Sequence, residues 1–247
     1  MLEQRGLVSQ GRGPHQKGLW TRDEFIEQLK NVGHLFYHDK HPFHRAMHEG
    51  KLSREQIRGW VANRYYYQKS VPIKDAAILS NLPSRELRRE WIGRILDHDG
   101  IEGEAGGIEA WLQLGEAVGL SREEVVREDH VVPGVRFSVD AYVTFARTKP
   151  WIEAVASSLT ELFSPDLISK RIKVLERLYP WIDGTGLDYF QNRLTQAPHD
   201  SDIALRLVLS YCQTPEDQRR AIEALRFKCD VLWVQLDAIE KAFPPKA

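Results

Sequence analysis

The segment from Asn63 to Ala77, NRYYYQKSVPIKDAA, combines charged, amide and aromatic side chains in a pattern that could bind a ligand. On a helix with about 3.6 residues per turn, one stripe carries both apolar and polar members: Trp60, Arg64, Tyr67, Gln68, Val71, Asp75 and Ile78. The apolar members indicate that this stripe faces inward. Arg64 and Asp75 then point into the interior, where an unpartnered charge is costly. The sequence therefore predicts that something in the interior neutralises them.

Cationic side chains occur at similar positions in other helical segments. Those that could turn inward are Arg64, Lys74, Arg171, Arg193 and Lys228. The chain has a formal net charge of −1, and internal acids look too few to neutralise several buried cations. A small multicarboxylate bound through forked arginine contacts would do so, and the tyrosines and Trp60 offer flat surfaces to an aromatic ring. The residues thus predict a pocket for a small, flat, anionic molecule, with His98 and tyrosines as proton carriers.

A histidine cluster in the segment YHDKHPFHRAMH raises the question of a metal site. It contains Tyr37, His38, His41, His44 and His48. Histidines three and four residues apart could line one helical face, but Pro42 interrupts that face and no carboxylate occupies a matching position. The Glu-x-x-His signature of di-iron bundles is absent from the sequence. The alternatives are a helix start with hydrogen-bonded histidines, or contact of one or two histidines with a ligand.

Two further motifs carry residues suited to proton transfer. In LDHDG, His98 lies between two aspartates, which would raise its pKa and orient a ring nitrogen. Alternatively, His98 only complements the dipole of the helix that it ends. In LDYFQNRL, Tyr189 and Arg193 are four residues apart and share a helical face.

Other charged residues leave two interpretations open. Glu161, in SSLTELFSP, could accept a proton or a hydrogen bond inside the pocket, or form a structural ion pair with Arg171. Lys228 shares a face with Leu225 and Leu232, so it either extends to solvent or meets an anion.

Helix-start signals recur along the chain, and the alternation typical of strands hardly appears. Capping boxes begin at Thr21, Ser53 and Ser121, and Ser164 and Thr214 each precede a proline in the first turn of a predicted helix. Loops are predicted at segments that include PGV and APHDS. A kink or break is expected at Pro72, which lies inside a predicted helix. The sequence predicts an all-α protein, a compact single-domain bundle of about seven helices.

Composition limits the possible partners and locations. Near-neutral charge gives no electrostatic basis for binding nucleic acid or an anionic membrane. No apolar run approaches the ~18 residues of a membrane span. Residues 1–20 are polar and glycine-rich without the apolar core of a signal peptide, and we expect a flexible tail followed by a helical-bundle catalytic domain over 21–247. Two cysteines without metal-ligand spacing favour reduced thiols and a cytoplasmic protein.

Taken together, the motifs resemble one known family. The matching segments run in order from Tyr37 to Phe243: YHDKHPFHRAMHEGKLSREQIRGWVANRYYYQ, PIKDAA, ILDHDG, GGIEAWLQLGEAVGL, PGVRFSVDAYVTFAR, SSLTELFSP, YFQNRLTQAP and LRFKCDVLW. They resemble the pyrroloquinoline-quinone synthases. The resemblance implies a helical fold of the haem-oxygenase-like type, usually a homodimer. It also implies ring closure and O2-dependent oxidation of a tricarboxylate quinone precursor with release of hydrogen peroxide, and no metal or organic redox cofactor.

The resemblance also implies roles for individual residues. The implied catalytic residues are His98, Tyr189, Arg193 and His38. The implied substrate-binding residues are Tyr37, Arg64, Gln68, Lys74, Tyr142, Thr160, Glu161, Arg171, Lys228 and Leu232. This chain departs from the family at Ile168, where some family members have a histidine. Proton transfer is therefore expected to depend more on His98 and Tyr189. The rival interpretations are a metal-dependent oxidase of the same fold and a non-catalytic carrier of the finished quinone.

Overall fold

The structure is a computed structural model that describes residues 18–244. The predicted tail at residues 1–20 therefore lies almost entirely outside the described residues. Trp20, within the described part, exchanges two backbone hydrogen bonds with the Gln218 side chain and stacks on Phe25. Over residues 18–244 the regular structure is helical, and the only extended pairing is an isolated bridge between Ile101 and Glu104.

The helices form one all-α domain, as predicted. We label the α-helices Arg22–Phe36 (α1), Pro42–His48 (α2), Arg54–Asn81 (α3), Arg85–Trp91 (α4), Gly93–Asp99 (α5), Gly106–Ala117 (α6), Arg122–Val126 (α7), Pro133–Thr148 (α8), Trp151–Ser157 (α9), Ser164–Leu178 (α10), Asp188–Tyr211 (α11) and Pro215–Ala242 (α12). Three 3-10 helices comprise His38–Lys40, Ser158–Phe163 and Gly184–Leu187. The described residues contain more helices than the seven or so predicted, because several are only five to seven residues long.

Four helices begin at the signals found in the sequence. Thr21, Ser53 and Ser121 each form a reciprocal capping box, and the Thr214 hydroxyl accepts from the Asp217 N–H. Ser164 differs from the prediction, because it lies inside α10 with helical backbone angles and its hydroxyl donates to the Glu161 carbonyl. The preceding 3-10 helix already brings the chain in with helical geometry, which leaves no extended residue for a cap.

Two prolines lie inside long helices. α3 continues through Pro72 to Asn81, so the predicted interruption does not break the helix. The fixed φ of proline is compatible with a helix, and α3 is held along its length by α5, α6 and α8. The segment APHDS, predicted as a loop, is helical within α11, and PGV forms the first turn of α8. In α11 the buried residues Ala197, Asp200 and Ala204 recur at helical spacing, and their packing outweighs the local preference of Pro198 for a loop.

The apolar core consists of two clusters of buried side chains. One contains Trp60, Trp111 and Phe190, and the other contains Phe25 and Trp91. Members of both clusters line a single internal cavity, so the polar centre of the bundle lies where the two apolar clusters meet. Helix α12 closes the bundle by packing against α1, α8 and α9. Among the described residues, no helix combines the length and hydropathy needed to cross a bilayer.

Asn63 links α3 to the loop that precedes α8, and it is fully buried. Its amide nitrogen donates to the carbonyl oxygens of Gly59 and His130, each at 2.9 Å, and its amide oxygen accepts from the Val132 N–H at 2.9 Å. Removing this side chain leaves buried backbone groups without partners. We predict that Asn63→Ala lowers the free energy of unfolding by about 2–3 kcal/mol, measured by urea denaturation.

The control is Asn81→Ala. Asn81 is exposed and donates only to the Ala77 carbonyl within its own helix. This change should cost no more than about 0.5 kcal/mol. Equal losses for the two variants would show that Asn63 does not hold the loop in place.

Candidate active site

The internal cavity has a volume of about 100 Å³ and is lined mainly by residues of α3, α10 and α11 and of the 3-10 helix before α10. Most of the residues that the sequence assigns to a site line it: Tyr37, His38, Arg64, Gln68, His98, Thr160, Glu161, Arg171, Tyr189, Arg193 and Leu232. The other three, Lys74, Tyr142 and Lys228, are buried directly behind this wall and contact one another. Residues more than a hundred positions apart are thus brought together.

Three cations at the cavity have neutral partners. Arg64 donates to the amide oxygen of Gln235 at 3.0 Å and stacks on the Tyr67 ring. Lys228 is 1% exposed and donates to the Tyr67 hydroxyl at 2.7 Å. None of the described carboxylates forms an ion pair with Arg64 or Lys228.

Arg171 is the third of these cations. Its guanidinium contacts the His44 ring at 3.2 Å and lies over the rings of Trp60 and Phe190. Burial and the nearby Arg64 lower the pKa of Arg171 to about 10. The open possibility of an ion pair between Glu161 and Arg171 is therefore not realised, and Glu161 instead pairs with other arginines.

Those other arginines, Arg94 and Arg193, belong to an ion network beside the cavity in which carboxylates balance their charges. Arg94 makes two 2.8 Å hydrogen bonds to Glu161, one at 3.2 Å to Asp75 and an ion pair at 3.5 Å to Asp200. Arg193 bonds Asp200 at 3.2 Å. Burial opposes ionisation of Glu161, yet Arg94 and Arg193 keep its pKa below its usual value.

Lys74 completes this network through a 2.6 Å bond to Asp75. The network therefore contains three cations, Lys74, Arg94 and Arg193, and three carboxylates, Asp75, Glu161 and Asp200. With Arg64, Arg171 and Lys228 added, six basic side chains face three carboxylates, and the excess is three basic groups. Burial, together with Arg64 and Lys74, lowers the pKa of Lys228 well below its usual value, so the ammonium form is disfavoured in the ligand-free protein.

His98 is buried at the end of α5 and lines the cavity. Its Nδ1 lies 3.2 Å from the Arg94 carbonyl oxygen. Because a carbonyl oxygen only accepts, Nδ1 carries the proton and Nε2 keeps a lone pair. Burial and Arg193 lower the pKa of His98 to about 3. The prediction that its two flanking aspartates raise this pKa is therefore wrong, since burial of the ring dominates and the acid that opposes it is Asp75.

Tyr189 lies beside His98 in the wall of the cavity. Its hydroxyl donates to the Gln68 side chain at 2.9 Å, and its ring meets that of Trp111 edge-on. Tyr189 and Arg193 also line a second, outer cleft of about 600 Å³ between α5, α6 and α11. These two side chains therefore separate the internal cavity from the cleft.

The clustered histidines have individual roles. His41 caps α2 and contacts Asp237, and His44 bonds to the His38 carbonyl and to Arg171. Burial and the neighbouring cations lower the pKa of His38 and His44 well below the usual value and that of His48 to about 4. Within residues 18–244, no group of three or more His, Cys, Asp or Glu side chains is arranged to hold a metal ion.

Several residues of the site were missed from the sequence. Trp111 and Phe190 line the cavity, and Arg94 and Asp200 belong to the ion network. Arg94 lies four residues before His98, so the same helical-face argument that paired Tyr189 with Arg193 would have found it. Asp200 falls in the segment misassigned as a loop, which hid its position on a buried helical face.

Comparison with known proteins identifies the family of this chain. The model of the TENA/THI-4/PQQC family matches residues 26–238. This chain belongs to the TENA/THI-4/PQQC family. A pyrroloquinoline-quinone synthase of Pseudomonas aeruginosa is 58% identical over 222 residues, covering 90% of this chain and 88% of that protein. One of Cronobacter sakazakii is 56% identical over 228 residues, covering 92% of this chain and 90% of that protein.

Solved structures in this family and its neighbours show the same architecture. A domain from Shewanella denitrificans with a haem-oxygenase-like fold matches at a TM-score of 0.70 with 13% identity, covering 89% of this chain and 90% of that one. A TenA homologue from Pseudomonas syringae matches at 0.67 with 13% identity, covering 88% of this chain and 93% of that one. The TENA/THI-4/PQQC chain described here therefore has the haem-oxygenase-like fold that its motifs predicted.

The lowered pKa of His98 links stability to pH. Between about pH 3 and 6.5 the unfolded chain binds a proton at His98 that the folded protein does not, so stability falls as the pH falls through this range. The contribution is about 1.4 kcal/mol per pH unit. We predict that His98→Gln loses about 2 kcal/mol less stability than the parent protein between pH 6.5 and pH 5, measured by urea denaturation at both values.

The exposed His199 provides the control, and His199→Gln should keep the parent dependence. The other buried histidines remain in both variants, so the slope should decrease by one proton and not vanish. An unchanged slope in His98→Gln would show that the folded protein binds a proton at this ring.

Proposed function

We propose that this chain is a pyrroloquinoline-quinone synthase that performs the last step of pyrroloquinoline quinone biosynthesis. In this step a tricarboxylate quinone precursor undergoes ring closure and is oxidised by O2. Each O2 that accepts two electrons and two protons leaves as hydrogen peroxide, and the protein supplies no metal or organic redox cofactor. Relatives that are 54–58% identical over about nine-tenths of the chain and bear this name support the proposal.

The observation that carries the proposal is the excess of three basic side chains over acids around the cavity. Arg64, Arg171 and Lys228 have neutral partners, whereas Lys74, Arg94 and Arg193 are matched by acids. A ligand with three carboxylates would neutralise the unmatched cations, and arginine forks bind carboxylates through two parallel hydrogen bonds. The number and type of charges thus fit the proposed precursor.

The aromatic walls fit the flat part of such a ligand. Trp60, Tyr67 and Phe190 line the cavity, and the rings of Trp60 and Phe190 are nearly parallel. At about 100 Å³ the cavity is smaller than the ~300 Å³ at which ligand pockets begin, so its walls must move to admit a bicyclic molecule. Movement of the α11 start would join the cavity to the outer cleft, and its return would exclude water from the oxidation.

His98 and Tyr189 are proposed to handle protons during oxidation. The Nε2 lone pair of His98 can accept a proton, and the bound carboxylates would raise the low pKa of this ring by their charge. Tyr189 offers a hydroxyl ordered by Gln68, and Arg193 supplies positive charge for a peroxide anion. His38 also lines the cavity, has an unpartnered Nδ1 and is proposed to act with them.

The remaining assignments follow from position. Tyr37, Thr160 and Leu232 are proposed to contact the substrate from the cavity wall, and Tyr142 and Lys74 to support it from behind.

We also propose that the protein works as a homodimer in the cytoplasm. The two buried free cysteines of the described residues, Cys212 and Cys229, are consistent with a reducing compartment. Equilibrium sedimentation of the purified chain would test the dimer.

The decisive experiment incubates chelator-treated protein with the precursor under air and under argon. We expect the quinone product and hydrogen peroxide to form only under air, and oxidation to stop under argon. Activity lost on chelation and restored by one metal would identify the metal-dependent oxidase. A protein that binds the finished quinone but never converts the precursor would be a carrier, and either result would contradict the proposal.

A single substitution separates binding from chemistry. His98 is neutral in the folded protein, so His98→Ala removes no charge from the site. We predict that it binds pyrroloquinoline quinone within about threefold of the parent protein but oxidises the precursor about a hundredfold more slowly. Fluorescence titration and peroxide release measure the two quantities, with His199→Ala as the exposed control. Unchanged turnover would remove His98 from the mechanism.

A further inference from the structure

His44 is buried behind the cavity wall and makes hydrogen bonds with both ring nitrogens. It belongs to the short helix α2 and is 1% exposed. Its Nδ1 lies 3.0 Å from the carbonyl oxygen of His38, and its Nε2 lies 3.2 Å from an Nη2 of Arg171. His44 does not itself line the cavity, but Arg171 does.

The chemistry of its two partners determines where the His44 proton is. A carbonyl oxygen can only accept a hydrogen bond, and a guanidinium can only donate one. Nδ1 therefore carries the proton and donates to His38, while Nε2 has a lone pair and accepts from Arg171. A second proton on this ring would break the bond to Arg171. The His44 ring lies next to the rings of His38 and His48. Burial and the nearby Arg171, His38, Arg64 and His48 all lower its pKa, and no acid is among the groups that change it.

Arg171 depends on this single acceptor. Among the described residues, its guanidinium has no other hydrogen-bond partner, its Nε is buried and unpartnered, and its central carbon lies 5.3 Å and 5.8 Å from the ring centroids of Trp60 and Phe190. The two rings restrict where the guanidinium plane can lie, and the His44 nitrogen fixes its direction within the space that they leave. The N–H groups of the Arg171 guanidinium that do not bond to His44 remain available at the cavity.

A neutral acceptor has a consequence that a carboxylate would not have. Glutamate at position 44 would also hold Arg171, but it would cancel the positive charge that an anionic ligand needs. A neutral imidazole orients the guanidinium and leaves its charge in place.

We propose that His44 is a positioning residue that aims Arg171 at a carboxylate of the bound substrate without neutralising it. This inference rests on the proposed function for the identity of the ligand, but the His44–Arg171 arrangement itself can be tested without any ligand. It predicts a neutral Nδ1–H ring in the ligand-free protein and a specific order of substrate affinities among His44 variants.

Two kinds of measurement test the proposal on the full chain. Nitrogen-15 NMR of the ligand-free protein should show a protonated Nδ1 and an unprotonated Nε2 at pH 7, with the signal assigned by its loss in His44→Gln. Steady-state turnover of the precursor then gives KM and kcat, and fluorescence titration gives the affinity for pyrroloquinoline quinone.

Three variants and one control distinguish orientation from charge and from general packing. His44→Gln keeps a neutral oxygen that can accept from Arg171, and its KM should stay within about threefold of the parent value. His44→Leu removes the acceptor and should raise KM about tenfold or more with little change in kcat. His44→Glu should raise KM at least as much, because it cancels the charge. His48→Leu, one turn along α2 and without a bond to Arg171, should behave as the parent.

Several outcomes would overturn the inference. These are a ring protonated on Nε2 or on both nitrogens, a KM for His44→Leu equal to that of the parent, or a His44→Glu variant that binds the quinone more tightly. A parent protein that fails to convert the precursor would instead contradict the proposed function, and the NMR result would still decide the arrangement of His44. If His44→Leu does not fold, the comparison of His44→Gln with His44→Glu decides between orientation and charge.

Discussion

The Arg94 guanidinium determines how charge is distributed in the interior of this protein. It contacts carboxylates from α3, α11 and the 3-10 helix before α10, and so engages Asp75, Asp200 and Glu161 at one side of the cavity. Only Glu161 of these three lines the cavity. Because buried acids are few, holding them at Arg94 leaves Arg64, Arg171 and Lys228 without acidic partners.

This distribution has an energetic cost that a ligand can reverse. A buried cation without an anion loses hydration and gains little in return, and the lowered pKa values of Arg171 and Lys228 express that loss. An anion placed among them regains Coulomb energy in surroundings of low dielectric constant, where each interaction is stronger than in water. The same burial that destabilises the empty arrangement therefore strengthens binding of a multicarboxylate, and the ion network around Arg94 ensures that the protein does not satisfy these cations itself.

Local patterns predicted the all-α class and several residues of the cavity wall, whereas Thr160 and Leu232 came only from the resemblance to a known family. Capping boxes and the 3.6-residue period placed Arg64 and Gln68 on an inward stripe, and the structure places both in the cavity wall. The predictions that failed depended on long-range packing. Pro198 signals a loop, but burial of one face of α11 keeps it helical. The aspartates around His98 suggested a raised pKa, and only the burial of the ring in three dimensions reverses the shift.

The partners of the unmatched cations follow one rule, which no sequence motif expresses. Arg64 donates to an amide, Lys228 to a phenol and Arg171 to an imidazole. Each partner fixes the direction of a cation, and none is a carboxylate. If acids replaced these partners, each ion pair would be more favourable in the ligand-free protein, and an entering carboxylate would then have to compete with a covalently tethered one. Neutral acceptors thus give orientation without competition. Lys74, Arg94 and Arg193 are paired with acids of the protein, whereas Arg64, Arg171 and Lys228 remain available to the carboxylates of a ligand.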